Sequence, residues 1–370
     1  MNRFLFPILL VFISTNLVLA TDGRVNALSG YHFFLIDESN IFDYPSSLLN
    51  YPNKIICELE DTLSKNHSIF LSLPIGKNFG VLGVAFNKIE IPEAISTMYD
   101  SVTPYCEPNP LFTFLFAKRS DDISWGVLVS YIYDRYKDEN INSSLSAMVA
   151  RGGLNYRIHG ENFIEIGAEL GMYKGLGEDP FKKIEGTGKF SYGLDARLYY
   201  LLSREFVFIP VFGFENIDGS YKISDITYDN TSTFLYGGLG GDIPLYYELD
   251  LIFGLLVEYI QNSFGTEFIK NVEKNLSFPA MIGLEARIRD WFLVRFGGVK
   301  NFFKVEISDD SKRTDFESDF SLLIGLGLRI GNNLYLDIKF NNDLLFKGPY
   351  FVGGTEVMPI THLSIKYDFE

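Results

Sequence analysis

The sequence predicts an all-β protein, an antiparallel transmembrane β-barrel of about 14–16 strands with a short N-terminal plug segment. Three observations predict this fold. Apolar and polar residues alternate with a period of two, short and long connections follow each other in regular order, and the chain is rich in aromatic residues (16%) and in glycine (33 residues). The predicted organisation is a signal peptide over residues 1–20, a plug or hatch segment over 21–53 and a barrel over 54–370.

The first 20 residues have the features of a signal peptide. Arg3 supplies a positive charge, an apolar run extends from Phe4 to Ile13, and Ala20 ends a stretch that fits cleavage before Thr21. The run is too short for a membrane-spanning helix, which needs about 20 apolar residues. We therefore expect export of the chain, and the predicted location of the mature protein is the bacterial outer membrane.

The alternation of residue types defines two faces for each predicted strand. In residues 164–170 the even positions are apolar and the odd positions are Glu or Gly, and residues 282–288 and 334–340 divide in a similar way. Successive side chains of a strand point to opposite faces of a sheet. A soluble β-sandwich would show the same local alternation, so this pattern alone does not separate the two folds.

The lengths of the connections favour the barrel. Short turns are predicted at Gly76-Lys77, Arg119–Asp122, His159-Gly160, Ser203-Arg204, Gly241-Asp242, Arg289-Asp290 and Gly331-Asn332. Longer polar connections are predicted at 87–109, 134–142, 174–185, 217–230, 261–275, 307–314 and 341–360. Outer-membrane barrels have short periplasmic turns and longer outer loops, and an even number of strands. The seven turns join 14 strands, and further strands at Lys54–Glu60 and His362–Phe369 bring the prediction to 16.

Because the apolar face would contact lipid, the opposite face is predicted to line the lumen. The predicted lumen-lining residues are Arg151, Glu165, Glu169, Asp195, Arg197, Glu248, Asp250, Glu258, Glu285, Arg287, Arg295, Arg329, Asp337 and Lys339. Charges of both signs at membrane depth must face water or one another. They could line a water-filled pore or brace a filled interior. Glycines on the same face (Gly167, Gly283, Gly325 and Gly327) would leave room for a segment packed against the wall.

Composition argues against several other functions. A net charge of −15 disfavours binding to nucleic acid, which requires a basic surface. The four histidines have no Ser or Asp at a spacing that suggests a catalytic triad, so we expect neither an enzyme nor a cofactor. The two cysteines, Cys57 and Cys106, show no metal-binding spacing. Whether they form a disulfide stays open.

Residues 21–53 lack the strand period and contain the order Asp-x-Ser-Asn-x-Phe-x-x-Pro-x-x-Leu. The residues of this motif are Asp37, Ser39, Asn40, Phe42, Pro45 and Leu48. The motif resembles the N-terminal segment of the FadL-like (fatty-acid-transporter-like) outer-membrane barrels, a group that includes the PorV-like shuttle barrel of type IX secretion. The resemblance implies that the segment folds into the barrel as a plug, where Asp37 and Asn40 could bond to lumen groups such as Arg197 or Arg287.

The resemblance further implies a function in transport. The leading interpretation is a passive transporter or channel for small, perhaps hydrophobic, solutes through a plugged lumen. A general diffusion porin and a structural or secretion-accessory barrel without a solute are the alternatives. The expected partners are outer-membrane lipid, the barrel-assembly machinery and a small solute, with no nucleic acid.

The predicted orientation can be tested by cysteine labelling of intact cells. Cysteines that replace Asn140 or Glu273, in predicted outer connections, should react with a membrane-impermeant maleimide above the wild-type background. A cysteine that replaces Gly331, in a predicted periplasmic turn, should stay unlabelled. The reverse result would contradict the assignment of long connections to the outside.

Overall fold

The computed structural model describes residues 22–28, 31–60, 67–88, 110–138, 141–178, 183–186, 190–203, 206–223, 225–246, 248–266, 270–308, 313–341 and 360–369. The predicted signal peptide and Cys106 lie outside these ranges, whereas Cys57 lies half-buried in a strand. The short α-helices are α1 (Asp22–Leu28) and α2 (Gly76–Phe79), and 3-10 helices occupy His32–Phe34, Glu38–Ile41 and Pro45–Asn50. None of the described helices is long and apolar enough to cross a membrane.

Strands form nearly all of the remaining described chain. They are β1 (Lys54–Glu60), β2 (His67–Pro74), β3 (Val81–Phe86), β4 (Pro110–Ser120), β5 (Ile123–Lys137), β6 (Asn142–His159), β7 (Asn162–Glu178), β8 (Lys183–Gly186), β9 (Ser191–Ser203), β10 (Phe206–Asp218), β11 (Tyr221–Ile223), β12 (Ile226–Tyr246), β13 (Leu249–Thr266), β14 (Lys270–Ser277), β15 (Ala280–Arg289), β16 (Phe292–Ser308), β17 (Arg313–Ile330), β18 (Leu334–Phe340) and β19 (Ile360–Asp368).

These strands form one closed antiparallel barrel. Three barrel strands are each divided into two consecutive segments, namely β8 with β9, β10 with β11, and β14 with β15. The two segments of each pair share a neighbouring strand, which is β7, β12 and β13 respectively. The described residues therefore form a barrel of 16 strands. This confirms the predicted fold class and the higher of the two predicted strand numbers.

The barrel closes between its first and last strands. Lys54 of β1 pairs with Asp368 of β19 in an antiparallel register. On the other side of β1, the Ser68 hydroxyl of β2 donates to Glu58 over 2.8 Å, and the Lys54 backbone N–H donates to the Ser72 hydroxyl over 3.1 Å. Closure leaves no free sheet edge, which a membrane interior does not tolerate.

The two faces of the wall are apolar outside and polar inside. In β7, Leu170 is 59% exposed, whereas the neighbouring Glu169 is only 9% exposed. Strand β5 alternates between exposed and buried residues over most of its length, with Trp125, Val127 and Val129 on the exposed face. Exposure of the apolar face is the opposite of what a soluble sandwich would show, and it is typical of a wall that contacts lipid.

One predicted turn is wrong. Gly241 and Asp242 lie inside β12, which continues to Tyr246 before the chain reverses into β13. Gly241 pairs with Phe253 of β13, and a methyl group on Gly241 would come within 2.7 Å of the Phe253 ring. The glycine therefore makes room for an aromatic ring within a strand, so its presence did not mark a turn.

Within the described residues, most predicted outer connections prove to be extensions of strands, whereas most of 87–109 and of 341–360 lies outside these residues. Strands β10, β11 and β12 occupy much of residues 217–230, and strands β13 and β14 occupy most of residues 261–275. Strand β12 has 21 residues and β13 has 18, whereas crossing the hydrocarbon layer takes about 9–11 residues. The hairpins are therefore long enough to project beyond the membrane, and the polar residues of these connections belong largely to strands.

Because the apolar face is assigned to lipid, the cost of placing an arginine there should depend on its depth in the membrane. Ile166 lies on the exposed face of β7, six residues from Gly160 of the preceding turn, and Ile158 lies on the exposed face of β6 beside the same turn. Ile166→Arg should destabilise the inserted barrel by roughly 2–4 kcal/mol, and Ile158→Arg by about 0–1 kcal/mol. Urea unfolding in phospholipid vesicles measures both values. Equal costs would contradict this position of the membrane.

Candidate functional site: the lumen and its N-terminal segment

The N-terminal segment, residues 22–28 and 31–51, lies inside the barrel. Its residues approach glycines in the walls on different sides of the lumen. These contacts join Pro45 to Gly126 and Gly153, Phe34 to Gly240 and Gly254, Leu28 to Gly283 and Gly297, and Ala27 to Gly325. Because the glycines belong to strands from β5 to β17, the segment reaches across the lumen.

The glycines set how closely the segment approaches the wall. A methyl group on Gly153 would come within 2.6 Å of the Pro45 nitrogen, so any larger residue there would displace the segment. Of the four glycines expected to leave room, Gly167, Gly283 and Gly325 contact the segment. Gly327 instead provides space for the guanidinium of Arg295, at 3.0 Å from the position of a Cβ.

The first half of the motif folds locally. The Asp37 carboxylate accepts hydrogen bonds from the backbone N–H and hydroxyl of Ser39, and the Asn40 side chain accepts one from the Asp37 backbone N–H over 3.1 Å. This capping box begins the 3-10 helix Glu38–Ile41. All three residues are buried, so an Asp, a Ser and an Asn at this spacing replace the hydrogen bonds that water would supply.

The second half of the motif packs against the wall. Phe42 meets the Phe70 ring of β2 edge-on, with ring centroids 5.8 Å apart. Leu48 is completely buried in an apolar cluster with Phe70, Leu115 and other wall residues. Pro45 begins the last 3-10 helix, at the place where the wall glycines allow close approach.

Arg197 of β9 is the main bond between the segment and the wall. Its guanidinium donates to the backbone oxygen of Leu35 (2.8 Å) and to the side-chain oxygen of Asn40 (3.0 Å). The same guanidinium pairs with Glu165, which lies directly opposite on β7, and both side chains are 2% exposed. Ser47 of the segment donates to Glu165 over 2.6 Å. Arg197 thus bonds to Asn40 of the motif.

Arg151 of β6 holds the segment on the other side of β7. It pairs with Glu169, its cross-strand neighbour, and donates to the Phe42 backbone oxygen (2.8 Å) and to Asp43 (2.7 Å). Asp43 also lies 3.0 Å from His32 Nε2. Burial alone would raise the pKa of the Asp43 carboxyl, but His32 and Arg151 together hold it well below its usual range. Asp43 is therefore charged in the folded protein.

A second group of charges lies on the opposite wall. Arg295 of β16 donates to Glu285 of β15 (2.5 Å) and, across the glycines of β17, to Asp337 of β18 (2.6 Å). Arg24 of helix α1 donates to the same Glu285 over 3.1 Å. The segment thus supplies a second cation to Glu285, because Arg295 is shared between Glu285 and Asp337.

Glu38 joins the segment to the two strands that close the barrel. Its carboxylate lies 3.4 Å from the Lys54 ammonium of β1 and 3.3 Å from the Lys366 ammonium of β19. Lys366 also contacts Asp337 over 2.9 Å, and Lys54 contacts Asp368 over 2.8 Å. A chain of alternating charges therefore runs across the closing seam.

Of the other predicted lumen residues, four are half-buried and three are exposed. Asp195 accepts a hydrogen bond from the Tyr236 hydroxyl (2.9 Å), and Glu258 accepts one from Ser277 (2.7 Å). Asp250 and Lys339 are half-buried. Glu248, Arg287 and Arg329 are exposed beside the short turns. Alternation alone did not show that these exposed strand ends lie outside the enclosed lumen.

Several contacts could not be read from the strand pattern. Arg24, Asp43 and Ser47 bond from the segment to the wall, Lys54 bonds across the seam, and His32 pairs with Asp43 inside the segment. Four of these five residues lie in a segment without strand period. Only the charged or polar type of these residues could have pointed to them, because a segment enclosed in a charged lumen must carry complementary groups. Among the described residues, no group of three or more His, Cys, Asp or Glu is arranged to hold a metal ion.

The barrel and its enclosed segment resemble solved outer-membrane structures. A FadL homologue from Pseudomonas aeruginosa matches with a TM-score of 0.50 at 11% identity, covering 96% of this chain and 100% of that one. The toluene transporter TodX from Pseudomonas putida matches with a TM-score of 0.43 at 10% identity, covering 92% and 95%. No family model and no curated protein matches the sequence. The chain has the fold of the FadL-like barrels of the bacterial outer membrane.

Proposed function

We propose that this protein is a passive transporter for small hydrophobic solutes, with the N-terminal segment as its plug. The observation that supports the solute class most directly is an apolar inner wall. Its buried members are Ile132, Leu145, Ala147, Val149, Tyr173, Ile184 and Ile217. In β6, Leu145, Ala147 and Val149 share the inward face with Arg151, which bonds to the segment.

The apolar wall lies on the hairpin side of the segment. From the short turn at Gly160, the chain of β6 first reaches Arg151 and then Val149, Ala147 and Leu145. A solute entering from the hairpins would therefore meet apolar side chains before the plug. A general diffusion porin needs a polar, water-filled lumen, so the apolar lining favours a hydrophobic solute over the porin alternative.

The plug role predicts a specific effect of wall glycines on conductance. Gly153→Val should displace Pro45 and open an ionic leak, because a Cβ there already comes within 2.6 Å of the Pro45 nitrogen. Gly152→Val is the matched control, since no atom lies within 4 Å of a Cβ at that neighbouring position. Planar bilayer recordings should show a higher conductance only for Gly153→Val. Equal currents from both variants would mean that the segment does not block the lumen.

The solute class can be tested by uptake in cells with an intact outer membrane. Cells that carry the protein should take up radiolabelled naphthalene faster than cells without it, and glucose at the same rate. Ala147→Asp places a carboxylate in the apolar wall and should reduce naphthalene uptake severalfold, whereas Ala147→Val should retain it. Heat-dependent gel mobility confirms folding of each variant. Faster glucose entry would favour the porin, and no change for either solute would favour an accessory barrel.

A further inference from the structure

A cavity of about 300 Å³ lies between the N-terminal segment and the short turns. Ile36 and Ser46 line it from the segment, and Arg119 and Gly160 line it from the turns that follow β4 and β6. The cavity is therefore on the turn side of the segment. The apolar inner wall is on the other side, so the two are separate spaces.

Two arginines give this cavity a cationic lining. Arg119 and Arg157 both border it, and Glu161 is its one acidic lining residue among the described residues. The Arg119 Nε donates to the Ser124 hydroxyl over 3.2 Å, which orients the guanidinium. An arginine has five N–H donors in a planar fork that matches a carboxylate or phosphate group.

A buried hydroxyl completes the set of donors. Ser46 is 2% exposed, and its Oγ has no hydrogen-bond partner among the described residues. The same residue lines the cavity. Buried polar groups in folded proteins are nearly always hydrogen-bonded, so an acceptor in this cavity would satisfy a group that the fold itself leaves unsatisfied.

A second cavity of similar volume, about 300 Å³, provides a contrast. Its charged lining residues are Arg24, Asp37, Glu38, Arg295, Asp337 and Lys366. All six are engaged in ion pairs with one another. The charges there compensate each other, so this cavity has no excess positive charge that would attract an anion.

We propose that the cavity at Arg119, Arg157 and Ser46 binds a small organic anion. The oxyanion group would accept hydrogen bonds from the two guanidinium groups and the Ser46 hydroxyl. The apolar part would contact Ile36 and Phe163, which also line the cavity. This inference does not depend on the proposed transport of hydrophobic solutes, because it concerns the space beyond the plug.

Equilibrium dialysis of the full-length protein in detergent tests this site, with radiolabelled benzoate and phosphate as separate probes. Benzoate should bind, and the double variant Arg119→Gln/Arg157→Gln should raise its Kd about tenfold or more. Ser46→Ala should raise the Kd by a smaller factor. Arg289→Gln is the matched control, since Arg289 is an exposed arginine near another short turn and does not line the cavity.

Neutral benzyl alcohol separates charge recognition from apolar contact, and phosphate separates an organic anion from any oxyanion. We expect benzyl alcohol to bind far more weakly than benzoate. The proposal is overturned if benzyl alcohol binds as tightly, if phosphate binds but benzoate does not, or if the folded double variant retains wild-type affinity. Loss of benzoate binding in Arg289→Gln would also overturn it, because the effect would then be a general one of surface charge.

Discussion

The structure depends on the compensation of charge inside the lumen. A guanidinium or carboxylate at membrane depth is tolerated only when it is paired or hydrated, and this wall carries several of each sign. Cross-strand pairs such as Glu165 with Arg197 and Glu285 with Arg295 provide part of the compensation. The N-terminal segment provides the rest through backbone oxygens and its own charges. Removing one partner of such a buried pair typically costs about 3–5 kcal/mol, so segment and wall stabilise each other.

Shape complements charge in this arrangement. The wall strands carry glycine where the segment passes, so backbone contacts backbone without an intervening side chain. The wall is also small beside some bulky residues of the segment. The Phe34 ring, for example, lies against Gly240 and Gly254 on neighbouring strands. Close packing fixes one position of the segment, and a single methyl group added at one of these glycines would displace it.

The sequence was informative about the wall and less informative about what fills it. Period-two alternation predicted the faces, because lipid and lumen impose opposite chemistry on adjacent residues such as Leu170 and Glu169. The turn predicted at Gly241 was wrong, since glycine serves equally for a reversal and for close contact with Phe253. Outer hairpins read as loops because a strand face that projects beyond the lipid no longer needs to be apolar. The partners of His32 and Asp43 depend on a three-dimensional path through the lumen, which no local period encodes.

The position of Glu38 has a consequence for the order of events in biogenesis. It contacts Lys54, which lies shortly after it in the chain, and Lys366, which lies almost at the end. The second contact joins residues 328 positions apart, so it can form only after the strands between them have reached the membrane. Once β19 has paired with β1, the closed barrel surrounds the segment. Pairing of β19 with β1 therefore encloses the segment, and afterwards the segment can move only within the space that the closed wall leaves.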